Sequence, residues 1–144
     1  MALYLDTSCL LKVFFPEPET DRTLALIGAE ARVLVSSLAR LEALSQIRAR
    51  AAGGLLSPAR ATRLRRRVDA VLKLAPYERV RCPADIIDIA ADQIRITEKG
   101  AYCRTLDRLH LATMQALGIH RLLTNDRVQA AAARSLGLDV MLPR

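Results

Sequence analysis

The sequence predicts an α/β fold, a parallel sheet of about four to five strands covered by helices on both faces. Three observations carry this. Short apolar runs alternate with segments of helical periodicity along the chain. The runs are rich in Leu, Val and Ile and stop at polar turns, as buried strands do. The 144 residues contain no repeat, low-complexity tract or linker, so one domain over 1–144 is expected.

Leu3–Leu5 is the first apolar run and ends at Asp6. From Ser8 to Phe15, apolar residues at 10, 11, 14 and 15 have helical spacing, and Pro16 and Pro18 close the segment. A second helix is expected over Thr20–Ile27, before Gly28. Val33–Val35 reads as a buried strand that feeds, through Ser36 and Ser37, a helix over Leu38–Ala51, which Gly53 and Gly54 end. Ser57 and Pro58 start the next helix, a capping hydroxyl followed by proline in the first turn. It is expected to reach Leu74, with Leu64, Val68, Val71 and Leu72 on one face. Val80–Cys82 is a short strand or a loop. Pro83 and Ala84 lead into a helix with Ile86, Ile87, Ala90 and Ile94 facing inward, and Gly100 breaks the chain. Asp107 opens a helix to Leu117, with Gly118 as its C-cap. Ile119–Thr124 is a third strand, Asp126–Leu136 a helix closed by Gly137, and Val140–Leu142 a final strand.

Composition narrows the function. At 51% hydrophobic residues the chain is not a disordered tail protein. At 3% aromatic residues it is poorly equipped to stack bases on aromatic platforms. The excess of 22 Lys+Arg over 15 Asp+Glu, a net charge of +7, favours polyanions such as RNA, DNA or anionic lipid. Cys9, Cys82 and Cys103 are odd in number, no CxxC occurs, and there are two histidines. Neither structural zinc nor a disulfide scaffold is expected, and the cysteines read as small buried hydrophobes in a reducing cytosol. No apolar stretch approaches the roughly 20 residues of a membrane helix. The opening Met1-Ala2-Leu3-Tyr4-Leu5-Asp6 lacks a basic n-region, so neither a signal peptide nor a membrane location is expected.

The informative feature is where the acids fall. Asp6 follows the first strand, Glu42 lies in the first turns of the helix after the second, Asp126 follows the third, and Asp107 begins a helix. In an open parallel sheet, ligands sit beyond the carboxyl ends of the strands. Strand-to-helix junctions all point to that edge. Each acid alone is explained by capping a helix N-terminus. Gathered at one edge, several carboxylates repel one another and call for a neutralising cation. Oxygen-only ligands select a hard divalent ion, Mg²⁺ or Mn²⁺. Such an ion suits phosphodiester hydrolysis, and a basic rim suits the phosphate chain.

Leu3-Tyr4-Leu5-Asp6-Thr7-Ser8, Ser36-Ser37-Leu38-Ala39-Arg40-Leu41-Glu42, Arg104-Thr105-Leu106-Asp107-Arg108-Leu109-His110-Leu111-Ala112-Thr113 and Leu122-Leu123-Thr124-Asn125-Asp126 together resemble the PIN-domain ribonucleases, and most of all VapC-type toxins of toxin–antitoxin pairs. The four motifs occur in the family's order and span essentially the whole chain. The resemblance implies a PIN-like three-layer α/β/α fold and a metal-dependent endoribonuclease. It implies Asp6, Glu42, Asp107 and Asp126 as the catalytic, metal-binding quartet. Asp6 and Asp107 would be the most direct ligands of Mg²⁺ or Mn²⁺, Glu42 a ligand or water-orienting group, and Asp126 a completing group. Thr7, Ser8 and Thr124 match small polar positions beside the acids and are expected to position carboxylates or substrate. An RNA substrate, a homodimer and a cognate antitoxin are also implied. In this family an exposed part of the region around Leu10, Leu11, Phe14 and Phe15 can help bind the antitoxin, although these residues read most simply as core.

Other features weigh less. Asp85, Asp88 and Asp92 share a helix face and read as a solvated stripe rather than a second metal site. Glu98 lies past that helix with no assigned place. Arg60, Arg63, Arg66 and Arg67, with Arg48 and Arg50, form either an RNA-contacting rim or an ordinary solvated face; Arg63, Arg66 and Arg67 are the expected RNA contacts. His110, one turn past Asp107, reads as a helix-packing histidine rather than a proton donor, and His120 has no catalytic reading. Two rival classes remain. A non-catalytic RNA- or partner-binding module should have lost an acid from the quartet. A receiver-like phospho-acceptor needs a lysine after a late strand, and the three lysines (Lys12, Lys73, Lys99) do not supply it.

Overall fold

A computed structural model describes residues 1–97 and 101–144. The expected break at Gly100 lies outside the described residues, as does Glu98. In chain order the elements are β1 (Leu3–Leu5), α1 (Thr7–Phe14), α2 (Thr20–Gly28), β2 (Val33–Ser36), α3 (Ser37–Ala52), α4 (Pro58–Val71), β3 (Tyr77–Val80), α5 (Ile86–Ile96), α6 (Thr105–Leu117), β4 (Arg121–Leu123), α7 (Arg127–Ser135) and β5 (Asp139–Met141). The strands form one sheet in the order β3-β2-β1-β4-β5, with every pairing parallel. The register sets Tyr4 between Leu34 and Leu122. The fold class is the one the sequence predicts.

Side chains alternate across a strand, so each strand feeds two layers. Leu3, Leu5, Val33, Val35 and Leu123 pack with Leu10, Phe14, Ile47, Leu64 and Val68 of α1, α3 and α4. Tyr4, Leu34 and Leu122 pack on the opposite face with Leu111, Met114, Ala132 and Ala133 of α6 and α7. Each fully buried Leu or Phe contributes roughly 1.5–3 kcal/mol. With several such residues per face, the sheet is a firm platform for what projects from its edge. Phe14 and Phe15 belong to this core, while Leu11 is half-buried against it.

The element boundaries follow their capping chemistry. The Ser36 hydroxyl accepts the Ala39 N–H (3.1 Å) and the Ser57 hydroxyl the Arg60 N–H (3.2 Å), starting α3 and α4. Gly118 ends α6 with φ at 67°, a left-handed conformation that glycine adopts without a Cβ penalty.

Four expectations need correction. The edge strand β3 is Tyr77–Val80, not Val80–Cys82; its Tyr-Glu-Arg-Val sequence is only half buried and gives no apolar run. α4 stops at Val71 rather than Leu74, because Leu72 is already its C-cap. α6 starts at Thr105, so Asp107 lies inside its first turn and Arg104 holds the cap position. α5 buries Ala90 and half-buries Ile86 as expected, but does not turn Ile87 and Ile94 inward. It packs on α6 through Ala90 and Gln93, whose amide donates to Gln115 (2.9 Å). Ile87 and Ile94 are instead 63% and 66% exposed and line an open groove with Tyr102 and Leu109. A small residue where the two helices meet lets them approach closely, and the bulky ones are left at the flank.

Candidate active site

The strand order reverses at β1: β2 and β3 lie on one side, β4 and β5 on the other. A doubly wound sheet opens a crevice at such a switch point, beyond the carboxyl ends of the strands. Asp6 leaves β1 there and Thr124 to Asp126 leave β4 there. A hollow of about 180 Å³ lies at this edge, lined by Asp6, Thr7, Ser8, Leu11, Glu42, Gln46, Arg104, Asp107 and Asp126. The four expected acids therefore meet from four separate segments of the chain.

Asp6 is buried and is the N-cap of α1. Its Oδ2 accepts the Ser8 N–H (3.2 Å), the Ser8 hydroxyl (2.6 Å) and the Thr124 hydroxyl (3.0 Å). Its Oδ1 accepts the Gln129 side-chain amide (3.2 Å). Ser8 Oγ also accepts the Asn125 N–H (2.9 Å), and Thr124 Oγ1 the Asp126 N–H (3.1 Å). Ser8 and Thr124 thus tie the ends of β1 and β4 together while aiming Asp6.

Glu42 stands on α3, where its Oε1 accepts the Thr7 hydroxyl (2.9 Å) and lies 2.5 Å from His110 Nε2. Asp107 is buried in the first turn of α6 and accepts from Arg104 Nε (3.0 Å). Asp126 is the N-cap of α7: its Oδ1 takes the Val128 and Gln129 N–H groups (2.8 and 3.1 Å). Its Oδ2 lies 3.5 Å from the Arg104 guanidinium, which is largely exposed and bridges Asp107 and Asp126 at the mouth of the hollow.

Electrostatics register the crowding. Burial pushes the Asp107 carboxyl above its ordinary value; Arg104 opposes this, and the charges of Asp6 and Asp126 add to it. Burial works to lower the His110 pKa, but Glu42, Asp6 and Asp107 outweigh it and raise the ring's affinity for a proton. Arg104 is held more firmly charged by its bond to Asp107. Four carboxylates without sulfur are the donor set of a hard divalent cation. Among the described residues, no three His, Cys, Asp or Glu side chains form a ready-made cage.

Asp85, Asp88 and Asp92 are exposed and away from this hollow, as are Arg60, Arg63, Arg66 and Arg67 on α4. Cys9 is buried, and its thiol is pushed up to about 12, chiefly by burial. Four contributors are not evident from the sequence. Gln129 sits three residues after the Asp126 cap, where a capping-box glutamine bonds back to its own helix start; here it reaches Asp6 instead. Arg104, at the cap of α6, and His110, within it, are each three residues from Asp107, and that spacing is the one signal the sequence offers. Tyr4 looks like any strand residue, but its hydroxyl lies against His110.

A PIN domain match covers residues 3–135, and the chain belongs to the PIN-domain family. It is 30% identical to Ribonuclease VapC46 of Mycobacterium tuberculosis over 99% of this chain and 98% of that protein. Its fold is similar to that of the M. tuberculosis sarcin–ricin-loop-cleaving toxin VapC20 (TM-score 0.70, 16% identity, covering 90% of this chain and 94% of that one). It is also similar to a chain of a toxin–antitoxin complex from Klebsiella pneumoniae (TM-score 0.66, 19% identity, 100% and 98% covered).

Proposed function

We propose that residues 1–144 form a single nuclease domain that hydrolyses phosphodiester bonds within RNA, dependent on Mg²⁺ or Mn²⁺. The observation that carries this is the meeting of Asp6, Glu42, Asp107 and Asp126 in one hollow at the switch point of the sheet. Membership of the PIN family and the likeness to a VapC ribonuclease support the same reading.

Asp6 and Asp107 are the most direct candidates to hold the cation, Glu42 a further ligand or the group that orients water, and Asp126 a completing group. When bound, the cation supplies a polarised phosphoryl oxygen, a more acidic water and a stabilised leaving oxygen. The protein's own part is to aim these groups. Ser8, Thr124 and Gln129 fix Asp6, Thr7 and His110 fix Glu42, and Arg104 stands at the mouth where a phosphate would arrive. The exposed arginines Arg63, Arg66 and Arg67 supply a basic face for the rest of the RNA.

As a VapC-like chain, it is read as the toxin of a toxin–antitoxin pair, a cytoplasmic homodimer restrained by a small cognate antitoxin. Among the described residues no helix is long and apolar enough to cross a membrane. The test is RNA cleavage by the purified chain with Mg²⁺ or Mn²⁺. Asp6→Asn and Asp107→Asn should each abolish cleavage while circular dichroism shows an intact fold. Full activity in both variants would refute the reading.

A further inference from the structure

One buried polar chain runs behind the hollow and has no part in the quartet itself. His110, on α6, is fully buried, as are Tyr4 of β1 and Ser36 at the end of β2. Tyr4 Oη lies 2.7 Å from His110 Nδ1 and donates to Ser36 Oγ (2.8 Å); Ser36 Oγ in turn accepts the Ala39 N–H as the N-cap of α3. At the other end, His110 Nε2 meets Glu42 Oε1 at 2.5 Å. A carboxylate oxygen only accepts, so Nε2 carries the hydrogen of that bond. The Tyr4 and His110 rings are also packed edge-to-face, with centroids 5.8 Å apart, which limits rotation of the imidazole.

The consequence falls on Glu42. Its Oε1 is held by two donors, His110 Nε2–H and Thr7 Oγ1–H. Among the described residues no donor reaches Oε2, so that oxygen is left to the hollow. Glu42 projects from the second turn of α3, where a glutamate has three free torsions; two bonds to Oε1 restrain them before a ligand arrives. Ser36 starts α3 and also anchors Tyr4, so the brace links the start of that helix to the orientation of its acid.

We propose that His110, held by Tyr4 and Ser36, is a positioning residue that presents Glu42 Oε2 to the bound divalent cation. This rests on the metal-dependent reading above and names a residue set beyond the acids. Partners that orient a metal ligand typically alter metal affinity by about 10- to 100-fold when removed.

Titration of the RNA-free protein with Mn²⁺, followed by calorimetry, tests it without any turnover. The variants are Tyr4→Phe, which removes only the hydroxyl, and His110→Ala, each made in the wild-type and Glu42→Gln backgrounds. The expected result is a loss of Mn²⁺ affinity of about tenfold for His110→Ala and a smaller loss for Tyr4→Phe. Neither should cause a further loss once Glu42 is Gln, because the brace acts only through that carboxylate. A role in packing alone would lower the unfolding midpoint and leave Mn²⁺ affinity as in wild type, or lower affinity equally in both backgrounds; either result overturns the proposal. If His110→Ala does not fold, Tyr4→Phe decides by the same comparison. No Mn²⁺ uptake by the wild-type protein overturns the metal-dependent reading and the brace together, whereas uptake unchanged in Tyr4→Phe overturns the brace alone.

Discussion

At Asp6 and Asp126 capping leaves room for the proposed role as ligand, because the two fall on different oxygens. Asp126 caps α7 through Oδ1 and turns Oδ2 to the hollow. Asp6 caps α1 through Oδ2 and offers Oδ1 toward Gln129 and His110. Asp107 makes the sharpest residue-level prediction. Its folded pKa is raised, so the protonated acid suits the fold better than the carboxylate does. The stability this gives is present below the ordinary carboxylate pKa and is lost as pH rises through the folded one. Asp107→Asn should therefore stabilise the cation-free protein against urea at neutral pH, and the gain should shrink below about pH 4, where the acid itself is neutral. Equal stability of the two proteins across this range would contradict the electrostatic account. Arg104 gives a second test. Its guanidinium already pairs with Asp107 and Asp126 and would compete with the proposed cation for them, so Arg104→Ala should tighten Mn²⁺ binding by roughly threefold, a modest effect because the pair is exposed. Weaker Mn²⁺ binding in that variant would show that the arginine is not a competitor.

Elements are legible where local chemistry announces them. Ser57-Pro58 marks α4 because a capping hydroxyl and proline act within one turn, and Leu3–Leu5 marks β1 because a central strand is apolar on both faces. β3 escapes such a reading because an edge strand needs no apolar run. The inward face of α5 is misleading because apolar periodicity reports what can be buried, and the helix pairs with α6 through Ala90 and Gln93 instead. The acids of the site are readable from their junctions. Their supports are not: Tyr4 and His110 are far from each other and from Glu42 in sequence, and they meet it only when β1, α3 and α6 pack together. At this scale the Asp126 cap is testable. Asp126→Ala should cost about 1 kcal/mol in chemical denaturation by freeing the first N–H groups of α7, and Asp126→Asn should cost much less because Asn also caps. Equal losses in both variants would mean that the charge, not the cap, is what α7 needs.

Over the whole molecule, a net charge of +7 surrounds an acidic hollow set at the reversal in strand order. On the proposed function, attraction of a polyanion and retention of a dication fall on different surfaces, and they should separate experimentally. Reversing charge at Arg63 and Arg66 should weaken RNA binding and flatten its dependence on salt, by about one in log–log slope for each phosphate no longer neutralised. Mn²⁺ affinity should stay the same. An unchanged salt slope would remove α4 from the RNA surface. The account stands or falls on the hollow itself, and anomalous diffraction from crystals of the protein soaked in Mn²⁺ addresses it most directly. The predicted result is a manganese peak among the carboxylates of Asp6, Glu42, Asp107 and Asp126, absent from crystals of Asp6→Asn. A peak elsewhere on the protein, with these four side chains uninvolved, would contradict it.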